Sequence, residues 1–355
     1  MSAAERLAAR LAALRESAAF RNYLEVRDAV LRLKDQAGTA GEPSRYWQEE
    51  LAGFEYLLDA SPLVVEKLLH HSYHLTGLKV YDYRSGKEAA QRQFEEKLAA
   101  LIELGGRDLL VPQPRALGGF GFEIDGALYN IDTLKFFEVL IGMRRAGVLP
   151  PADGERRCLL EVGAGWGGFA HAYKTLRPDT TYVIVDLPEV LLFSGTYIRT
   201  VFPAARLHFH DAADPIPKGR WRDYDFVLLP NTALDQLRPD RLDLVVNMVS
   251  FQEMTAEQCL GYVAKAAALH CPVLYSLNRD RSPYNPQMTA VSELIGEHYD
   301  TEEVALLDVP YTKMLQPTGR KKKDGERTER SYRHLVGRRR AAAPGAGGFL
   351  RRLFG

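Results

Sequence analysis

The chain has 355 residues, of which 46% are hydrophobic and 26% are charged, which is typical of a globular protein with a large core. No apolar run approaches the length of about 18 residues that a membrane-spanning helix needs. The 46 basic and 46 acidic residues cancel, but they are segregated along the chain. Residues 317–355 hold twelve Lys and Arg against three Asp and Glu, so the preceding residues carry the matching acidic excess.

The cysteines and the N-terminus both indicate a cytoplasmic protein. Cys158, Cys259 and Cys271 lie in apolar contexts and form no C-x-x-C pair, so buried free thiols are the simplest interpretation. The first 20 residues carry charged side chains through an Ala- and Leu-rich pattern and do not resemble a signal peptide. We therefore expect a cytoplasmic location.

Helical periodicity dominates residues 1–120, and no long strand is predicted there. Ser61 is expected to cap a helix that begins at Pro62. The predicted helices cover residues 2–18, 21–33, 46–58, 62–70 and 88–104. We assign residues 1–120 to a helical N-terminal region that caps the rest of the chain or makes a homodimer contact.

Three histidines lie close together in this region. His70 and His74 are one helical turn apart and His71 lies between them, so two rings could face one ion. No third ligand follows at a suitable spacing, so we predict no metal site. A substrate-facing role and ordinary packing both stay open for these histidines.

The segment before the central motif contains the first substrate candidates. Asp132 or Thr133 is predicted to cap a helix that runs to Gly147. An element immediately before the first strand often covers a cofactor, so Tyr129 and Asn130 are predicted to line the substrate pocket. Capping and packing are the alternative roles for these two residues.

The central motif of the chain is an apolar run that ends in a Gly-rich turn. Residues 158–162 precede the turn, a helical pattern follows it, and a second apolar run ends in Asp186. This order predicts a βαβ unit with a nucleotide-sized pocket at the strand ends. Gly163, Gly165 and Gly168 match G-x-G-x-x-G, a pattern that also fits a nicotinamide or flavin nucleotide.

Glu161 favours a different cofactor. It stands two residues before the first glycine, where the strand of a dinucleotide-binding unit is normally apolar. A carboxylate there suits an ammonium group, which the methionine part of S-adenosylmethionine presents. Asp186, 21 residues after Gly165, is placed to accept hydrogen bonds from both ribose hydroxyls. We predict S-adenosylmethionine as cofactor, with these binding residues: Glu161, Gly163, Ala164, Gly165, Asp186 and Leu187.

After Asp186 the patterns of strands and helices alternate. Thr255 and Gln258 form a predicted capping box at the start of one helix. The predicted helices cover residues 188–200 and 255–269, and the predicted strands cover residues 206–211, 224–231, 242–248 and 272–278. This alternation predicts an α/β fold over residues 121–318, with a Rossmann-like, doubly wound, mostly parallel sheet of about seven strands. Which of the strands 206–211 and 224–231 is the third in the sheet is left open.

Ligands of such a sheet gather at the carboxyl ends of its strands. Asp211 ends one strand and is placed to accept a hydrogen bond from the adenine amino group, or it is an ordinary turn acid. Methyl transfer to an alcohol depends on alignment and on a base that takes the hydroxyl proton. Glu253 and His210 are the two candidate bases.

A polyhydroxylated acceptor would also need side chains that orient it. Asn278 and Arg279 follow the strand predicted over residues 272–278 and lie at the same edge. We predict that both contact the acceptor.

Four segments resemble a known family. They are Glu161–Gly167, Asp186–Glu189, Asn247–Met254 and Tyr332–Arg338. On these segments the chain resembles the sugar O-methyltransferase family of class I S-adenosylmethionine enzymes, over roughly residues 75–340. The first segment is shared by all class I methyltransferases, and Asn247–Met254 is the family-level signal.

The resemblance implies a seven-stranded Rossmann-like fold and a glycan acceptor. It also implies that Glu161, Gly163, Gly165 and Asp186 bind the cofactor, and it transfers no catalytic base to this chain. An S-adenosylmethionine-dependent O-methyltransferase of a sugar or glycosylated intermediate is therefore the predicted function. Methylation of a phenol or carboxylate, and a cofactor-binding scaffold without turnover, are the alternatives.

Residues 319–355 are predicted to form a basic, flexible tail. It contains the runs Arg320–Lys323 and Arg338–Arg340 and ends in Phe349–Phe354, which has four apolar and two cationic residues. Such an end suits peripheral contact with an anionic inner membrane surface, and a solvated tail is the alternative. Little aromatic interleaving accompanies the basic runs, so we expect no specific nucleic-acid partner.

Overall fold

The computed structural model describes residues 1–37, 43–281, 285, 290–306 and 332–340. The N-terminal region is helical, as its periodicity predicts. Its helices are α1 Ala3–Arg15, α2 Ala18–Ala37, α3 Arg45–Phe54, α4 Pro62–Val65, α5 Tyr73–Thr76 and α6 Glu88–Gly105. Ser61 caps α4 as predicted, because its side chain accepts the Val64 N–H. Helices α3 and α4 are shorter than predicted and continue into 3-10 turns over Glu55–Asp59 and Leu68–His71.

The elements after residue 120 alternate between strands and helices. The strands are β1 Phe122–Ile124, β2 Ala127–Tyr129, β3 Arg157–Val162, β4 Thr180–Asp186, β5 Leu207–Phe209, β6 Phe226–Pro230, β7 Leu244–Met248, β8 Val273–Arg279, β9 Tyr299–Glu303 and β10 Tyr332–Arg339. The helices are α7 Ile131–Arg145, α8 Gly168–Leu176, α9 Pro188–Val201, α10 Ala256–Ala268 and α11 Val291–Gly296. The predicted capping box of Thr255 and Gln258 begins α10.

Eight strands form one sheet in the order β5-β6-β4-β3-β7-β8-β10-β9, and β1 and β2 form a separate hairpin. Neighbours from β5 to β8 are parallel, whereas β10 is antiparallel to both β8 and β9. The predicted doubly wound, mostly parallel α/β fold is confirmed, with one strand more than expected. Strand β6 pairs with β4 and leaves β5 at the edge, which answers the question of the third strand.

Alternating side chains of the sheet enter two separate cores. Leu159 of β3 and Ile184 of β4 pack on the face that α7, α8 and α9 cover. Leu160 and Val183, one residue away on each strand, pack on the opposite face with α10 and α11. Both central strands are therefore buried on both faces, which explains their continuous apolar sequences. None of the described helices is long and apolar enough to cross a bilayer.

The predicted boundary of the tail at residue 319 is wrong for one segment. Tyr332–Arg339 is strand β10, which lies between β8 and β9 inside the main sheet. Its central residues Leu335 and Val336 are buried, while the arginines at its end are exposed. The basic composition therefore hid a strand whose partners are distant in sequence. Residues 319–331 and 341–355 of the predicted tail lie outside the described residues.

The N-terminal region packs directly on the sheet domain. Helix α2 lies against α9, where Val26 packs so closely on Gly195 that an added Cβ would lie 2.9 Å from its Cγ1. Asn22 Nδ2 donates to the Arg199 carbonyl (3.3 Å), and Lys34 pairs with Glu189 at the other end of the contact. The N-terminal helices thus cover part of their own chain, and the homodimer contact stays a prediction.

Tyr23→Phe tests whether the N-terminal helices share the stability of the fold. Tyr23 is fully buried, and its hydroxyl donates to the Leu57 carbonyl (2.8 Å) and accepts the Ala60 N–H (2.8 Å). Because both partners would be left buried without that hydroxyl, we expect the free energy of unfolding to fall by about 1–3 kcal/mol in urea titrations. Tyr81→Phe, at an exposed tyrosine, is the matched control. Equal stability of the two variants would contradict the expectation.

Candidate functional site

Three neighbouring parallel strands, β4, β3 and β7, end at the same edge of the sheet, and an acid lies at each end. Asp186 is the last residue of β4, Glu161 lies one residue before the end of β3, and Glu253 follows β7 after a turn. Carboxyl ends of parallel strands form the usual ligand-binding edge of such a sheet. At about 4.8 Å between neighbouring strands, the ends of these three strands span roughly 10 Å.

The carboxyl group of Glu161 is buried, with 1% of the residue exposed. Its Oε2 accepts a hydrogen bond from the Tyr182 hydroxyl on β4 (2.8 Å). Burial raises the pKa of Glu161 to about 8; the Tyr182 hydrogen bond opposes this rise, Asp186 adds to it and Lys135 opposes it. A carboxyl group in this state gains most from a cationic ligand, because the cation offsets the cost of burying the charged form.

Asp186 connects its strand to the Gly-rich loop. Its Oδ2 accepts the Gly165 N–H (3.0 Å), and its Oδ1 accepts the Leu187 N–H (2.8 Å). Burial raises the pKa of Asp186 to about 7, although the N–H groups of Leu187, Gly165 and Ala164 oppose the rise. Each carboxylate oxygen keeps a further lone pair, which is the capacity that a ribose diol requires.

The Gly-rich loop needs glycine at its first position. Gly163 has a φ of 73°, and a Cβ there would lie 2.2 Å from Ser250 Oγ. The Gly163 N–H also bonds to the Val185 carbonyl (2.9 Å), so the loop is held against β4. Gly165 has a φ of 57° as well, but a Cβ there would meet no atom within 4 Å. The two glycines therefore serve different purposes, close packing at Gly163 and backbone conformation at Gly165.

A buried hydrogen-bond network joins the ends of β3, β7 and β8. Asn247 Nδ2 donates to the Val162 carbonyl (2.8 Å), and Asn247 Oδ1 accepts from the Phe251 N–H (3.1 Å) and from Asn278 Nδ2 (2.7 Å). Ser250 Oγ donates to the same Val162 carbonyl (3.1 Å). Asn247 is fully buried, so its satisfied hydrogen bonds fix the turn after β7 in one conformation.

The turn after β7 is strained at Val249. This β-branched residue has a φ of 62°, a conformation that costs of order 1–3 kcal/mol for a residue with a side chain of this kind. Its N–H bonds to the Leu277 carbonyl (2.8 Å), which helps to hold it there. Backbone strain of this kind clusters at functional sites. The strained residue leads into the 3-10 turn Phe251–Glu253, which carries the third acid.

The N-terminal region reaches Glu253. Ser44, at the start of α3, is buried, and its hydroxyl donates to the Glu253 carbonyl (2.7 Å). Tyr46 and Glu50 of α3 interact electrostatically with the Glu253 carboxyl group. The start of helix α3 therefore packs against the turn that carries Glu253.

Burial raises the pKa of Glu253 to about 8. The charge of Lys135 and a hydrogen bond from Gln252 oppose this rise, Glu50 adds to it, and Arg279 opposes it. A general base works best when its pKa lies near the pH at which it operates. Glu253 meets that requirement close to neutral pH.

An ion pair at the start of α7 was missed by the sequence analysis. Lys135 Nζ donates to Asp132 Oδ1 (2.8 Å), and Asp132 Oδ2 accepts from Trp166 Nε1 (2.8 Å). Trp166 belongs to the Gly-rich loop, so this pair connects α7 to that loop. No sequence signal distinguishes it, because a Lys three residues after an Asp is also what an exposed helix face carries.

Of the predicted substrate residues Tyr129 and Asn130, the first ends a strand and the second caps a helix. Asn130 is the N-cap of α7: its Oδ1 accepts the Thr133 N–H (3.0 Å), and its Nδ2 donates to the Phe120 carbonyl (2.9 Å). The predicted cap at Asp132 or Thr133 is therefore wrong, because the residue with extended backbone that precedes the helix is Asn130. Tyr129 ends β2, and burial raises its pKa.

The other two predicted substrate residues differ from each other. Asn278 is buried, and its amide group is part of the network around Asn247. Arg279 lies at the edge of the site, with its guanidinium group 4.6 Å from the centre of the Tyr332 ring. The charge of Arg279 acts on the third acid, whereas Asn278 supports the turn that carries that acid.

His210 does not lie beside Glu253. Its backbone N–H donates to the Leu228 carbonyl (2.8 Å), which fixes His210 at the end of the edge strand β5. Four strand intervals separate β5 from β7, or roughly 19 Å. His210 instead lines a cavity of about 240 Å³ together with His208 and Trp221. One acceptor hydroxyl therefore cannot be within reach of both candidate bases.

Asp211 is likewise separated from Asp186. Its Oδ1 accepts the Ala213 N–H (2.9 Å), and this hydrogen bond lowers its pKa. Strand β6 lies between β5 and β4, and its last residue, Pro230, is paired with Asp186. The strand that ends beside Asp186 is therefore β6, followed by Asn231, and this strand order is what the sequence left open.

The described part of the chain contains no group of three or more His, Cys, Asp and Glu side chains arranged to hold a metal ion. Cys158, Cys259 and Cys271 are buried free thiols, and burial raises the pKa of each.

The chain matches no protein-family model and no curated protein. Among solved structures it is similar to EvdMO1 (17% identity, 70% of this chain and 48% of that chain, TM-score 0.37). It is similar to the bifunctional kinase–methyltransferase WbdD (11%, 59% and 39%, TM-score 0.36). It is also similar to magnesium protoporphyrin IX methyltransferase from Synechocystis PCC 6803 with bound SAH (11%, 58% and 82%, TM-score 0.35). The chain spans less than half of EvdMO1 and of WbdD, and we draw no function from likenesses at this level.

Two glycine substitutions test the close packing of the loop. Gly165→Ala imposes only the left-handed backbone, so we expect a loss of about 1–2 kcal/mol in the free energy of unfolding. Gly163→Ala adds the overlap with Ser250, so we expect it to lose a further 1–3 kcal/mol or so. Urea titrations of both variants measure the difference. Equal losses would mean that the contact between the loop and Ser250 does not constrain the site.

Proposed function

We propose that this protein is an S-adenosylmethionine-dependent O-methyltransferase that acts on a hydroxyl group of a sugar or glycosylated intermediate. The observation that carries the proposal is the row of acids at the ends of β4, β3 and β7. Asp186 binds the ribose, Glu161 binds the ammonium group of the methionine part, and Glu253 is the base for the acceptor hydroxyl.

The buried state of Glu161 supports this cofactor over a dinucleotide. A pyrophosphate beside the Gly-rich loop would lie close to the carboxyl group of Glu161, and the ionised form of that group would repel it. An ammonium group reverses that interaction and stabilises the ionised form of Glu161. The residues present therefore fit S-adenosylmethionine.

The reaction needs alignment and one base. When bound, S-adenosylmethionine would supply a methyl group on a positively charged sulfur, which becomes a neutral thioether as the methyl group passes to the acceptor oxygen. Glu253 would accept the proton that the acceptor hydroxyl loses. Positioning of the two reactants supplies much of the barrier reduction, up to roughly 7–11 kcal/mol.

The surroundings of Glu253 favour a polyhydroxylated acceptor. Tyr46 and the charged groups of Glu50 and Arg279 interact electrostatically with Glu253, and Arg279 lies over the Tyr332 ring. Aromatic rings pack against the C–H faces of a sugar, while charged side chains bond to its hydroxyls. A flat phenol would use the rings and leave most of the polar groups without partners.

The test of this proposal is incubation of the full chain with a labelled methyl donor and three acceptor panels: nucleotide sugars and glycans, phenols, and carboxylates. We expect label in the first panel. Label in the phenols or carboxylates alone would support methyltransferase activity and contradict a sugar acceptor. Cofactor binding without transfer to any panel would favour a scaffold without turnover.

Glu253→Gln removes the proposed base with little change in shape. We expect kcat to fall by about 10²–10⁴-fold while affinity for the methyl donor is unchanged. In the unsubstituted protein, kcat should rise with pH with a midpoint near pH 8 and level off above it, because only the ionised carboxylate accepts the proton. His210→Gln is the matched control, since His210 lies four strands away. A larger loss in His210→Gln than in Glu253→Gln would transfer the role of base to His210.

The affinity for S-adenosylmethionine should depend on pH through Glu161. With a pKa of about 8 in the protein alone, Glu161 must lose a proton to accept the ammonium group, so affinity rises with pH up to about 8. At higher pH the α-amino group of the ligand loses its own proton, and affinity falls. We expect calorimetry to show this maximum, and Glu161→Gln to leave only a shallower dependence near pH 7 from Asp186. An unchanged profile in Glu161→Gln would exclude the ammonium contact.

A further inference from the structure

Lys135 is a mostly buried cation at the start of α7. Its side chain is 13% exposed, and its partner Asp132 has a side chain that is 5% exposed. Buried charges are costly, so a lysine held at this depth needs partners for its N–H groups. Asp132 Oδ1 accepts a hydrogen bond from the ammonium group (2.8 Å).

The position of Lys135 is fixed by the Gly-rich loop. Asp132 bonds through its other oxygen to Trp166 Nε1 (2.8 Å), and the neighbouring Gly165 N–H bonds to Asp186 (3.0 Å). The Phe136 and Trp166 rings also pack together, with centres 5.9 Å apart. Lys135 is therefore held beside the loop that would surround the cofactor.

The charge of Lys135 acts on two of the three acids. Its positive charge opposes the rise in pKa of both Glu161 and Glu253. The hydrogen bonds through Asp132 to Trp166 place its ammonium group beside the Gly-rich loop. In the proposed function the amino-acid part of the cofactor lies beside the same loop.

An amino-acid group brings a negative charge as well as a positive one. Its carboxylate is one carbon away from its ammonium group, so a ligand held by Glu161 has a carboxylate beside the same acids. A buried carboxylate without a cation would be costly, and the neighbouring Asp186 and Glu253 would add repulsion. Lys135 is the cation that acts on Glu161.

We propose that Lys135 binds the α-carboxylate of the cofactor while Glu161 binds its ammonium group. The proposal rests on the proposed function, because it requires a ligand with an adenosyl and an amino-acid part. Asp132 and Trp166 act as positioning residues that hold Lys135 in place.

Three ligands separate the parts of the cofactor in calorimetry with the full chain. S-adenosylhomocysteine has both charged groups, its decarboxylated analogue keeps only the amine, and 5′-methylthioadenosine has neither. We expect the decarboxylated analogue to bind the unsubstituted protein on the order of 10–100-fold more weakly than S-adenosylhomocysteine. This comparison needs no substitution, so it does not depend on how any variant folds.

Lys135→Met removes the cation with similar side-chain length. We expect it to weaken S-adenosylhomocysteine on the order of 10–100-fold and to leave both the decarboxylated analogue and 5′-methylthioadenosine unchanged. Lys135→Arg keeps the charge and should restore most of the affinity. Arg145→Met, which removes one positive charge from the last turn of the same helix, is the matched control and should bind all three ligands normally.

Each other outcome overturns the proposal in a distinguishable way. Equal affinity of the unsubstituted protein for S-adenosylhomocysteine and its decarboxylated analogue would exclude a carboxylate contact. Equal weakening of all three ligands by Lys135→Met would indicate that the lysine only supports the loop. Lys135→Met could instead leave the affinity for all three ligands unchanged and shift the pH dependence of kcat upward. That result would mean that the charge of Lys135 acts on Glu253 and not on the cofactor. If the unsubstituted protein binds none of the three ligands, the proposed function fails together with this inference.

Discussion

The buried carboxyl group of Glu161 is the constraint on which the site depends. It lies at the end of a central strand that is apolar on both faces, where an ionised group is costly. Tyr182 and Lys135 offset part of that cost, and Asp186 on the next strand adds to it. In the proposed function, the ammonium group of the cofactor offsets this cost when it binds. The need to ionise Glu161 also sets the direction of the predicted pH dependence of cofactor binding.

The rest of the edge is built so that the loop beside Glu161 cannot move away. Gly163 packs directly on Ser250, and Asn247 connects the Val162 carbonyl to the turn after β7. The positive φ of Val249 shows that this turn is held against its own preference. Because the turn ends in Glu253, the same contacts that fix the loop also fix the proposed base. Rigid placement of both groups is what in-line transfer requires.

The sequence predicted what local patterns determine and missed what distant pairing determines. The βαβ unit, the cap at Ser61 and the capping box at Thr255 follow from residues close in sequence. The insertion of β6 between β4 and β5 does not follow from local sequence, because apolar strands of similar composition do not specify which strands they pair with. Strand β10 was hidden for a related reason: its flanking arginines dominate its composition, and its neighbour β8 lies more than 50 residues earlier. The approach of α3 and of Lys135 to the acids likewise depends on tertiary packing.

A crystal structure of the full chain with S-adenosylhomocysteine would test the central claim most directly. We predict that the ligand's amino nitrogen lies within about 2.7–3.2 Å of a Glu161 carboxylate oxygen, with the ribose hydroxyls on Asp186. An adenosyl ligand whose amino-acid part points away from Glu161, or a preference of the Gly-rich loop for a pyrophosphate in a competing soak, would contradict it.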